Sequence, residues 1–553
     1  MGLIEFQTEH YDHALQWTAQ AIAQEARPEF LASLGATLSK LGRREEALKA
    51  LDKAVQIAPN DAALWKQMGE TLWELERHDH ALLALQHALK LDPDNHDAAY
   101  KSGVLLNKAG RFAEAIASFD HCDRVLPNHA PTLRARAFIL NRLKKYECAL
   151  ADNLAAHALR PNDADILNNI GTCLPPLGRL EEALAWFDRA LELQPDAPLA
   201  LNNRAFMLAE LQRFPEAFET YDRIRALYPT NATTIWQLAL LQLLLGEFEP
   251  GWIGREARRD MPDWVPYPTF SQPMWLGHES IQGKTILIRV DEGLGDTIQF
   301  VRYVPMVAAR GARVILVVER PLVSLLTNFP GVSQCVALTD EPLPDFDTHC
   351  PVGSLPMIFG TRLDTIPAET CYLPPPPEAR IRAWNERLGP RDRLRVGLVW
   401  SGNPLHRNDH NRSISLRALS PILDVDATFV SLQKAPRESD RADLDSGNII
   451  DWTTELNDLA DTAALVQCLD LVITVDTSVA HLAAALGRPT WILLPWTPDY
   501  RWLLDRDDSP WYPTVRLFRQ DKSRDYASVI DRVRAELLEL VDSMAAKRLE
   551  AKL

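Results

Sequence analysis

The chain has 553 residues, 46% hydrophobic and 24% charged, with a formal net charge of −16. That length exceeds one hydrophobic core and predicts two to four domains of ordinary soluble composition. The negative balance argues against a non-specific nucleic-acid binder and against a protein held on anionic lipid by charge.

The amino terminus, Met1-Gly2-Leu3-Ile4-Glu5-Phe6-Gln7, lacks the basic-then-apolar pattern of a signal peptide. No apolar run reaches the ~18 residues of a membrane span. Seven scattered cysteines without a C-x-x-C pair argue against a disulfide framework or a structural zinc site. The expectation is a cytoplasmic protein with reduced thiols and no transmembrane segment.

In the amino-terminal half, proline recurs at Pro59, Pro93, Pro127, Pro161, Pro195 and Pro229, in steps of 34 residues. Alanine keeps the same step at Ala47, Ala81, Ala115, Ala149, Ala183 and Ala217, and a small residue at Gly35, Gly69, Gly103, Ala137, Gly171, Ala205 and Ala239. In the unit from Ala164 to Ala197, a first helix carries Leu167, Ile170, Gly171 and Leu174 on one face. The turn Pro175–Arg179 breaks it, and a second helix presents Ala183, Phe187 and Ala190 before Pro195. This pattern resembles the tetratricopeptide repeat over about residues 28 to 262, with residues 1 to 27 as a worn leading unit. The last unit departs from it, with Gly251 at the alanine position and Arg255 at the bulky position, which reads as a junction.

Such an array implies a protein partner bound along the first helices of each unit. One position there runs Ser33, Gln67, Lys101, Ala135, Asn169, Asn203, Gln237. Asn169 and Asn203 match the asparagine ladder of protein O-glycosyltransferases with long repeat arms; a solvated polar face is the alternative for each of them.

From Lys284 the rhythm changes to strand–turn–helix. Thr285–Val290 and Arg313–Glu319 predict parallel strands flanking a helix at about Thr297 to Arg310. Pro374–Pro377 is a stiff break. Arg395–Trp400, Thr428–Leu432, Leu471–Val475 and Thr490–Leu494 predict a second parallel sheet. Two such sheets leave a cleft between them, the expected ligand site.

Four segments are candidates for that cleft. Asp291–Thr297 lacks the third glycine of a dinucleotide fingerprint and the Lys-Ser/Thr of a P-loop. Gly293 and Gly295 allow a tight turn, and Asp296 stands at the helix start as an N-cap or as a general base. A cap lowers its pKa and weakens the base, whereas a desolvated cleft raises it. Trp400–Ser413 mixes small residues with cations, which suits a diphosphate. Asp476, Thr477 and Ser478 end a strand and open a helix at Ser478, where exposed amides suit a phosphate or where Asp476 or Ser478 merely caps. Pro495–Trp502 holds aromatics suited to stacking on a base or to core packing.

Taken together and in this order, the four resemble the GT-B glycosyltransferases of the heptosyltransferase family (family 9), over about residues 284 to 520. The resemblance implies that Asp296 is the catalytic base, with Gly293 and Gly295 in the acceptor-side loop. It implies a nucleotide-sugar donor held by Ser401, Gly402, Asn403 and Arg412, and by the D-T-x-x-x-H signature Asp476, Thr477, Ser478 and His481. Ser478 stands where that signature has glycine.

The fold expected is therefore α + α/β: a repeat solenoid over 1–264, a GT-B acceptor-side domain over 265–373, a donor-binding domain over 378–535, and a final helix ending in 536–553. The helix from Tyr526 to about Leu549 is expected to cross back onto the first sheet or to meet another subunit. The pairing of repeats with this half is similar to bacterial flagellin glycosyltransferases. It implies inverting, metal-independent transfer to Ser or Thr of a protein acceptor such as flagellin, with no cofactor. A non-catalytic repeat scaffold and a lipopolysaccharide-type heptosyltransferase are the alternatives.

Overall fold

The computed structural model describes residues 2–261, 267–406 and 408–550, and the chain divides into two compact units, Met1–Met207 and Leu208–Leu553.

The first unit is built of helix hairpins. After a leading pair, Gly2–Gln7 and Tyr11–Gln24, come Pro28–Lys40 with Arg44–Ile57, Ala62–Glu74 with His78–Leu91, His96–Lys108 with Phe112–Val125, Ala130–Arg142 with Tyr146–Leu159, and Ala164–Cys173 with Leu180–Leu193. The small–bulky pairing explains the period. A Cβ at Gly103 would fall 2.6 Å from the Phe119 ring, and one at Gly171 would strike Phe187, so in these two pairs only glycine lets the helices close on a phenylalanine. Three first helices begin with a side-chain cap: Asp61, Asn95 and Asp163 accept the amides of Ala63, Ala98 and Ile166. Arg43, Arg111 and Arg179, on the same spacing, fork onto Glu46, Glu114 and Glu182 at each second helix.

The second unit starts inside the repeats. Helices Phe214–Leu227, Ala232–Leu244 and Phe248–Arg255 are followed by a 3-10 turn, Glu256–Asp260. Leu243, Leu244, Phe248 and Trp252 are buried in one core with the first sheet, and the Trp252 indole donates to the Thr361 carbonyl at 3.0 Å. The compact division thus falls at 207/208, whereas the period leads one to expect 264/265, a junction lying at residues outside the described ones.

Two parallel sheets follow. Strands β1 (Thr285–Arg289), β2 (Arg313–Val318), β3 (Val332–Ala337) and β4 (Thr348–Pro351) run in the order β3-β2-β1-β4. Strands β5 (Leu394–Val399), β6 (Ala427–Ser431), β7 (Leu471–Val475), β8 (Thr490–Leu494) and β9 (Val515–Arg519) run β6-β5-β7-β8-β9. The crossover direction reverses beside β1 in the first sheet and between β5 and β7 in the second, and ligands of open parallel sheets bind at the carboxyl ends beside such reversals. Three of the four candidate segments leave those three strands.

Two expectations are corrected. The helix placed at Thr297–Arg310 instead begins at Leu294, stops at Phe300, and resumes as Val304–Ala308 after a 3-10 turn, because Pro305 cannot continue the hydrogen-bond ladder. The final helix, Ala527–Glu550, packs on the second sheet, not the first: Val529, Ile530, Val533 and Leu537 are buried with residues of β5, β7 and β8.

Candidate functional site

The turn after β1 is closed by a helix side chain that reaches back to its N-cap. Gly293 is the N-cap of helix Leu294–Phe300, and its amide donates to Asp296 Oδ2 at 3.0 Å. Asp296 is therefore the third helical residue, not the cap itself. Its other oxygen pairs with Arg501, which leaves the loop after β8 and also bonds Gln299 and, at 2.8 Å, Asp499. Burial pushes the Asp296 carboxyl up, but Arg501 and Arg255 more than offset that and hold it below the ordinary aspartate value.

Gly295 sets the distance between the two halves of the site. A Cβ there would fall 2.8 Å from His481 Cδ2 and 3.5 Å from the Ser478 Cα, so helix Leu294–Phe300 lies directly against helix Ser478–Ala485. His481 is only 4% exposed, stacked on Trp502 and bonded through Nδ1 to the Tyr512 hydroxyl at 2.8 Å. Burial, reinforced by Arg501, pushes its pKa down to about 3, so at neutral pH it is a neutral ring holding two helices together, not a cation facing a ligand.

At the carboxyl end of β7, neither Asp476 nor Ser478 caps the helix. Thr477 occupies the cap position without a side-chain cap bond, and its hydroxyl lies 3.2 Å from that of Thr474. The helix amino terminus thus presents amides without a side-chain acceptor, a local site for negative charge. Asp476 accepts Arg412 Nη1 through its carbonyl at 3.0 Å. Burial and then Asp499 push its carboxyl up to about 6, against the pull of Arg412 and Arg501.

The loop after β5 completes the arrangement. Ser401 is buried, its amide on Gln433 Oε1 at 3.0 Å and its hydroxyl without a partner among the described residues. Gly402 gives its amide to Ser413 Oγ at 2.9 Å and lets the Arg412 guanidinium lie on its backbone, where a Cβ would be 2.7 Å from Nη2. Arg412 Nε is also buried and unpartnered. Asn403 is exposed and turned inward, accepting the Leu405 amide at 2.9 Å. Arg407 of the same segment lies outside the described residues. Ser401 Oγ, Arg412 Nε and the amides at the start of helix Ser478–Ala485 are thus donors, on segments that leave β5 and β7, without a hydrogen-bond partner among the described residues; donors of this kind suit a phosphate.

The aromatic segment does something else. Trp502 and Tyr500 are buried in the core. The Trp496 carbonyl accepts Gln212 Nε2 at 3.0 Å, and the Thr497 hydroxyl donates to the Glu210 carbonyl at 2.8 Å, so the segment docks on helix Pro198–Glu210 and the turn after it. The residue that mattered there was Arg501, in plain view among the aromatics.

In the repeat groove, Asn203 Nδ2 donates to Asn168 Oδ1 at 2.9 Å, as Gln67 Nε2 does to the Ala32 carbonyl. That position cross-links successive units. Asn169 is half-buried and makes no side-chain hydrogen bond among the described residues.

Residues 28–94, 143–198 and 177–232 match tetratricopeptide repeat models, and residues 454–521 match the model of glycosyltransferase family 9 (heptosyltransferase). Among curated proteins the chain is similar to Protein FlbA of Caulobacter vibrioides, 29% identical over 334 residues, 55% of each chain. The chain therefore spans about half the length of that relative. Among solved structures it is similar to YrrB, a tetratricopeptide repeat protein with an unusual peptide-binding site (24% identity, 34% of this chain and 97% of that one, TM-score 0.31). A tetratricopeptide repeat protein of Parabacteroides merdae also matches (16% identity, 42% and 91%, TM-score 0.37).

Proposed function

We propose that the chain is an inverting, metal-independent glycosyltransferase of GT-B type that moves a sugar from a nucleotide-sugar donor to a Ser or Thr hydroxyl of a protein acceptor. The observation that carries this reading is the close approach, at the reversal points of two parallel sheets, of the Asp296 turn to the helix start at Ser478. The family 9 match over residues 454–521 covers that helix start.

In this reading the donor diphosphate rests on the amides at Ser478, on Ser401 and on Arg412. Asp296 accepts the proton of the acceptor hydroxyl while that oxygen attacks the anomeric carbon. The bond from that carbon to the diphosphate oxygen breaks, and the leaving charge is met by Arg412 and the helix dipole in place of a metal. Arg501 keeps Asp296 ionised at neutral pH, which costs it basicity; exclusion of water by the bound substrates compensates. His481 acts by keeping the two helices in contact.

The repeats would present the protein acceptor, flagellin or another surface protein, in the cytoplasm. Two measurements test the reading. A thermal-shift panel of ADP-, UDP-, GDP- and CMP-sugars should register one nucleotide; no shift with any of them favours a scaffold. Mass spectrometry of proteins and lipids from a deletion strain should show a sugar lost from a peptide. Loss from lipid alone would favour the heptosyltransferase reading, which the description of the matched family supports.

A further inference from the structure

The turn that leads to Asp296 carries two acidic side chains, Asp291 and Glu292, and both are matched by arginines of the last repeat. Arg258, 0% exposed, donates Nε to Asp291 at 2.7 Å, Nη1 to Glu256 at 2.6 Å and Nη2 to the Ser354 hydroxyl at 3.0 Å. Arg255, 2% exposed, pairs with Glu292 and donates Nη1 to the Gly353 carbonyl at 2.9 Å. Its guanidinium also stands 5.1 Å from the centre of the Phe300 ring, on the helix that bears Asp296.

Arg255 occupies the repeat position that Phe187 and Tyr221 hold in earlier units, where the bulky residue fills the space between the two helices. In the last unit that space is closed without it. Cβ atoms at Gly251 and Gly254 would fall 2.6 Å from Leu243 and 2.9 Å from Ala239, so the helices already touch. The arginine guanidinium stands 5.6 Å and 5.7 Å from the centres of the Trp236 and Trp252 rings of that unit and reaches past them to Glu292 of the turn. Burying two guanidiniums is costly even when they are paired, and Arg255 Nε has no hydrogen-bond partner among the described residues, so stability alone does not account for them.

We propose that Arg255 and Arg258 are positioning residues: the last repeat holds Asp291 and Glu292, and through the Gly293 amide the Asp296 carboxylate, in the geometry used for transfer. This rests on Asp296 being the base. The charged and titratable groups facing Asp296 are Arg255, Glu292 of its own turn, Glu319 after β2, His406 of the loop after β5, His481 and Arg501. Removing Arg255 withdraws a cation and leaves both glutamates, so Asp296 becomes harder to ionise and the acid limb of the rate profile moves to higher pH.

The test uses the full chain with Arg255→Met, Arg255→Lys and Arg258→Lys. Amide exchange of residues 291–297 needs no substrate and should rise about tenfold or more in Arg255→Met and Arg258→Lys, with residues 62–193 unchanged. Donor hydrolysis, with the nucleotide sugar that registers in the panel and water as acceptor, should lose about tenfold or more in kcat, with KM little altered. The acid limb should rise in Arg255→Met and return in Arg255→Lys. Unchanged exchange at the turn, a loss carried by KM, or an unmoved acid limb in folded Arg255→Met overturns the proposal. Asp296→Asn is run alongside: if it keeps transfer, the base reading falls on its own, and the exchange measurement still decides the positioning.

Discussion

The two compact units place their charge pairs in opposite ways. In the repeat unit Arg43, with its side chain 46% exposed, forks onto Glu46 on the surface, and the arrangement recurs at Arg111 and Arg179. In the second unit Arg255, Arg258 and Arg501 are buried against Glu292, Asp291 and Asp296. A surface pair is screened by water and contributes ~0–1 kcal/mol. A buried pair gains little net stability over apolar packing, yet loses ~3–5 kcal/mol when one partner is removed. The repeated surface pairs can vary without consequence for the fold, while the buried ones tie distant segments to one geometry, and they cluster around the carboxylate turn.

The sharpest way to break that contrast is at its centre. Asp296→Asn should lower transfer about 10²–10⁴-fold with donor affinity retained, read by steady-state rates beside calorimetric donor binding; near-wild-type rates would leave the buried cluster without a chemical role. Next in size, Arg258→Met should cost ~3–5 kcal/mol in urea unfolding of the second unit, whereas Arg43→Met should cost ~1 kcal/mol or less. Equal losses would erase the difference between the units.

Gly171→Ala probes apolar closeness in place of charge. Its Cβ runs into Phe187, and the unfolding of the repeat unit should weaken by ~1–3 kcal/mol, with donor binding untouched. The most gradual effect is read from pH. His481 keeps its proton off down to about 3 when folded, against 6.5 when unfolded. Between those values the unfolded chain binds more protons, so stability falls as pH drops below 6.5. His481→Gln should flatten that fall by up to ~1.4 kcal/mol per pH unit in denaturation series. An unchanged slope would mean that the ring titrates normally in the folded chain.

The family matches follow what the 34-residue period and the resemblance of the four segments implied: repeats before residue 232, a transferase-type segment after 454. Asp296 and the Ser478 helix start were visible as turn residues beside buried strands. Arg501 was visible only as a letter among aromatics, and Arg255 only as an irregularity in a repeat. Strands β3, β4 and β9 are not among the predicted ones; in β4, Thr348-His349-Cys350-Pro351 is short and its polar residues hide that all four are buried.

By itself, then, the sequence determined the repeat helices, the glycine turn and the apolar strands, since each depends on a pattern of neighbours along the chain. Tertiary structure alone decided the electrostatics of the site. The partner of Asp296 lies 205 residues further along the chain, and that of Glu292 lies 37 residues back on a repeat helix. An ion pair across such separations leaves no local pattern; it exists only once two sheets and a repeat helix share one core.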